Sequence, residues 1–99
     1  MSFINQFRPR YGANQVVTPA AASASITIAK DDTAVRLVNT GANVCYVRVG
    51  SVAASATTAD LPVRAGSEVI VRKSVDDTVL SHISAAGTTL NVQTGRDGV

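Results

Sequence analysis

The chain has 99 residues, a net charge of +2 and 16% charged residues. That length makes one domain with a thin core, the charge leaves no room for the dense basic stripe of a nucleic-acid module, and 4% aromatic content provides no platform for stacking bases. The single cysteine, Cys45, excludes an internal disulfide, and no apolar run approaches the roughly 18 residues that cross a bilayer.

The remaining composition argues for sheet. There are fifteen Val against four Leu, ten Thr and a single Glu. β-branched side chains lose χ1 freedom in helices and fit pleated surfaces. The abundant Ala residues sit in Ala/Ser/Thr runs without helical periodicity. The opening residues MSFINQFRPR lack the apolar stretch of a secretory signal, so the expected product is made and kept in a cytoplasm. A surface of Ala, Ser, Thr and Val with few charges suits a protein largely covered by neighbours.

Residues 1–15 differ from the rest and are predicted as an extended N-terminal arm. They hold Phe3, Phe7 and Tyr11, three of the four aromatics, together with Arg8, Arg10 and no acid. Pro9 stops a helix from running through the segment, and Gly12 and Asn14 are turn residues. Aromatic and Arg side chains are the ones enriched where proteins anchor on each other. A frayed terminus and a short membrane-surface helix with Phe3, Phe7 and Tyr11 at four-residue spacing are the alternatives.

Residues 16–95 break into short apolar stretches separated by turns. Val16 and Val17 form a brief strand before Pro19. Residues 25–29 place Ile26 and Ile28 on one face, and Asp31 and Asp32 make a polar turn. Residues 33–39 place Val35 and Leu37 opposite Arg36, and 43–49 alternate Cys45, Val47 and Val49 with Val44, Tyr46 and Arg48. Residues 51–60 read as a long loop crossing from one sheet to the other. Residues 61–64 form a short strand that Pro62 confines to an edge. Residues 67–73 turn Val69 and Val71 inward, 78–84 form a strand of undecided facing, and 88–94 bring Leu90 and Val92 inward. Residues 96–99 are expected to be a loose tail. Seven or eight strands at such spacing predict an all-β fold, a small antiparallel β-sandwich or jelly roll.

Within this pattern, VRLVNTGANVCYVRVG (35–50), the Ala/Thr-rich stretch leading to Asp60-Leu61-Pro62-Val63, AGSEVIV (65–71) and ISAAGTTLNVQTG (83–95) are similar to small structural proteins of tailed phages. The resemblance is to head decoration, or cement, proteins, and it covers most of residues 16–95. It implies a non-catalytic homo-oligomer, a dimer or trimer, on the capsid exterior of a virion, with the major capsid protein as partner and no cofactor. The runner-up is a phage tail or fibre module that binds a host glycan, disfavoured by the lack of Trp.

The residues capable of chemistry point the same way. His82 is the only histidine; Ser81 and Ser84 flank it and Asp76 and Asp77 lie nearby, but there is no nucleophile elbow, so a surface or interface histidine is expected. Cys45 alternates with core Val residues and has no metal-ligand partner. The paired Asp residues are assigned to turns and solvation. Arg36, Arg48, Arg64, Arg72 and Lys73 fall on outward faces, as solvated charges or as partners for acidic patches. The residues predicted to meet a partner are Phe3, Phe7, Arg8, Arg10, Tyr11 and Arg48.

Overall fold

The computed structural model describes the chain from Gln6 to Gly98, and among those residues there is no helix. Nine strands are present: β1 (Gln6–Pro9), β2 (Gln15–Val17), β3 (Ala24–Thr27), β4 (Ala34–Asn39), β5 (Cys45–Gly50), β6 (Leu61–Val63), β7 (Glu68–Arg72), β8 (Val79–Ile83) and β9 (Leu90–Gly98). They form two antiparallel sheets. One runs β1-β9-β4-β7, with β2 also on β9, and the other runs β3-β8-β5-β6.

The pairings nest. β5 pairs with β6, β4 with β7, β3 with β8 and β2 with β9, and the rolled ribbon is closed by β4 on β9 and β5 on β8. That is the jelly-roll order of the two-sheet antiparallel folds. Register follows from the alternation. Leu37 stands between Val69 and Val92, and Val35 between Val71 and Thr94, so one face of the first sheet carries the core. In the second sheet Leu80 stands between Ile26 and Val49, and Cys45 opposite Val63. Val35, Leu37, Cys45, Val47, Val63, Leu80, Leu90 and Val92 are all buried there. Each such Val or Leu stabilises the fold by about 1.5–3 kcal/mol relative to exposure.

Several expectations need correction. Residues 51–60 do not cross between sheets, because β5 and β6 are neighbours in one ladder. The segment instead folds back against the second sheet: Ala56 is buried, its backbone N–H donates to Ser23 Oγ (2.8 Å), and Arg48 lies 3.6 Å from Asp60. His82 is not at the surface. It shares the inward face with Leu80, since the strand is regular, and is 4% exposed. Ser81, on the opposite face, is buried too, and its hydroxyl lies 2.8 Å from that of Ser25. Lys73 is not a solvated outward charge: it is 7% exposed, and its Nζ donates to the carbonyls of Asp77 (2.8 Å) and Ser74 (3.1 Å).

Both chain ends also differ from the expected arm and tail. Gln6–Pro9 is extended as expected but pairs with residues 95–98 of its own chain, so Arg96–Gly98 is strand rather than loose tail. The register of β4 on β9 stops at Gly95. Beyond that point β1 and the end of β9 continue as a two-stranded terminal ribbon.

The strand end at Asn39 is closed by a neutral polar residue. Asn39 is fully buried; its Nδ2 donates to the carbonyls of Asn43 (2.8 Å) and Val63 (2.9 Å), and its Oδ1 accepts from the Thr88 hydroxyl (2.7 Å) and the Gly41 N–H (3.1 Å). The last residue of the predicted strand 33–39 therefore ties three connections together.

Candidate protein-binding interface

The opposite end of β4 carries the densest group of charges. Just before the strand, Asp31 takes a left-handed conformation (φ 72°), and its N–H donates to the Val75 carbonyl (3.0 Å). This turn buries Asp32 to 2% exposure. Arg10 answers it with a two-pronged bond: Nε donates to Oδ2 and Nη2 to Oδ1, each at 2.7 Å. The planar guanidinium suits that bidentate geometry. Arg10 holds the Asp32 carboxyl below its usual range against the opposing effect of burial, with Thr94 and Lys73 adding to the lowering. The same bond raises the pKa of Arg10, while burial lowers that of Lys73.

Local sequence explains how Arg10 reaches its partner. β1 and β2 lie along the same edge of β9, with Pro9 opposite Gly95 and Gln15 opposite Val92. Residues 10–14 thus face only two residues of β9 and bulge outward. The Arg10 N–H still donates to the Thr94 carbonyl (2.9 Å), keeping its side chain on the ladder. The Ala13 N–H then donates to the Arg10 carbonyl (3.1 Å), closing a turn over Tyr11 and Gly12. Gly12 has φ +84°, a conformation that L side chains rarely adopt, and Tyr11 is left 88% exposed at the turn. Gly95 is required by close approach: a Cβ there would strike the Arg8 carbonyl oxygen and lie 2.8 Å from Phe7 Cζ.

Arg8 and Arg96 stand directly opposite each other in the ribbon, and both are exposed. With Pro9, Arg10, Asp32 and Gly95 they line a cleft of about 290 Å³. Both oxygens of Asp32 are taken by Arg10, so the rim carries an excess of positive charge.

Of the residues expected to meet a partner, Phe3 lies outside the described residues. Phe7, Arg8, Arg10 and Tyr11 do come together at the ribbon and its bulge. Arg10, expected to anchor a partner, is bonded within its own chain. Arg48 belongs to another surface, where it lines a second cleft of about 250 Å³ with Val49, Gly50, Val52, Ala54 and Ser81. Sequence reasoning missed Asp32, Arg96 and Gly95. The only local signal was an Asp pair in a turn, and an ion pair 22 residues apart leaves no spacing to read.

No family model matches the chain, and comparison with curated proteins and with solved structures finds no match.

Proposed function

We propose that this chain is a structural virion protein, a decoration or cement protein that binds the major capsid protein from the capsid exterior and stabilises the lattice. The observation that carries this reading is the terminal ribbon. β1 pairs with β9 alone, and residues 96–98 have no β4 residue beside them, so among the described residues both ribbon edges keep unpaired backbone groups. Open strand edges are templates for pairing with another chain. Beside them stand the exposed Tyr11, Arg8 and Arg96. The resemblance of residues 35–50 and 83–95 to phage decoration proteins supplies the partner class.

The mechanism is additive. One thin domain offers a modest contact, whereas a dimer or trimer bridging several capsid subunits makes each further contact intramolecular. Opening the lattice then requires breaking all of them.

Sedimentation of purified protein with shells that lack it tests the proposal. Saturation at a fixed number of lattice positions is the expected result. Failure to bind, or only a few copies per particle, overturns it and favours the tail-module reading.

A further inference from the structure

We infer that the cleft between Arg8, Arg10 and Arg96 is a receptor for the carboxylates of an extended acidic peptide segment. This deepens the docking reading above and rests on it for the identity of the partner, though not for the chemistry of the cleft.

Three observations carry the inference. First, like charges directly opposite on paired strands are destabilising, yet Arg8 and Arg96 occupy one cross-strand position, and neither has an acidic partner among the described side chains. By contrast, Arg36 is paired with Glu68, and Arg48 lies near Asp60. Second, the neighbouring carboxylate is committed to Arg10. Asp32 is buried and each of its oxygens accepts from that one guanidinium, which leaves a single carboxylate against three arginines at the cleft. Third, the space is defined: Gly95 lets β1 pack onto β9 where any side chain would collide with the Arg8 backbone, which fixes the wall of the cleft, and the volume of about 290 Å³ suits one or two carboxylates.

The backbone selects the class of ligand. A peptide extended along the free edge of the ribbon makes main-chain hydrogen bonds while alternate side chains reach the cleft. A polynucleotide makes no such ladder, and among the described residues Tyr11 is the only strongly exposed aromatic beside the cleft. The bond between Arg10 and Asp32 is an internal example of the geometry that Arg8 and Arg96 would offer to a foreign carboxylate.

The test measures fluorescence anisotropy of a labelled short peptide alternating Glu and Thr, with wild-type protein, an Arg8→Gln/Arg96→Gln double variant and an Arg8→Lys/Arg96→Lys double variant. A peptide alternating Gln and Thr and a single-stranded oligothymidylate serve as competitors. The expected result is salt-sensitive binding that weakens on the order of tenfold or more in the Gln variant and by less in the Lys variant. The Gln variant should melt at or above the wild-type temperature, because a like-charge pair has been removed. Equal binding by the Gln variant and wild type, or tighter binding of the oligothymidylate than of the acidic peptide, overturns the inference. Wild-type protein that binds shells but not the peptide removes the cleft assignment alone. Arg-dependent peptide binding without shell binding supports the cleft and removes the capsid reading.

Discussion

The two ends of β4 are each sealed by a buried polar side chain, and the seals are of opposite kinds. At Asn39 the seal is neutral, and its donors and acceptors are met by backbone carbonyls, a backbone N–H and one hydroxyl. At Asp32 the seal is ionic, and its partner comes from the terminal ribbon. A neutral network satisfied in place has no dependence on pH or salt. An ion pair reaching across from an edge element depends on both. The Asn39 end is therefore the permanent closure of the sandwich, and the Asp32 end is the one able to respond to solvent or to a partner.

The comparison breaks most severely at Asn39. Asn39→Ala strands two buried carbonyls and removes two acceptor bonds, so urea denaturation should show a loss of about 4 kcal/mol. Gly95→Ala acts at the other end and should be milder, about 1–3 kcal/mol by overpacking. Its damage should be local: trypsin should cut faster after Arg10, since Pro9 protects the bond after Arg8, while residues 15–94 stay resistant.

Acid should separate the ends without mutation. Asp32 is depressed below its ordinary value of 3.8, so its contribution is complete above that value and disappears as pH falls through the lowered one. His82 is depressed from 6.5 by burial, so protonation favours the unfolded chain and stability begins to fall below pH 6.5. Stability measured against pH should thus decline in two stages, and Asp32→Asn should remove only the lower one. Amide exchange in β1 should quicken in that lower stage, while exchange around Asn39 should not.

The smallest effect concerns Cys45. Burial pushes its thiol up to about 11, so thiol labelling of the folded protein should be slow and unchanged by Gly95→Ala. Asn39→Ala should accelerate it, because Asn39 Nδ2 lies 3.9 Å from the sulfur.

The sandwich was legible in the sequence where one face alone had to be apolar. Val35 with Leu37, Cys45 with Val47, and Leu90 with Val92 announced their facing through period two, and Pro62 announced an edge. The wrong assignment for residues 51–60 arose because pairing order is a long-range property: a loop between neighbouring strands and one between sheets have the same composition. β8 was ambiguous because Leu80, Ser81 and His82 are all buried, its outer face being covered as well. The candidate interface was half legible. Phe7, Arg8 and Tyr11 stood out by type, but their site is completed by Asp32, Gly95 and Arg96, which only the closing of the chain ends brings near.

The nested pairing has a consequence for how the protein comes into being. Every ladder among the described residues joins one strand from β1–β5 to one from β6–β9, and none lies within either half. During synthesis from the N-terminus, five strands must wait unpaired until the second half emerges, and sheet closure by β9 comes last. A chain severed in residues 51–60 would yield two fragments with no native strand pairing of their own. Each would be a template only for the other, so mixing them should restore the sandwich as a complemented pair.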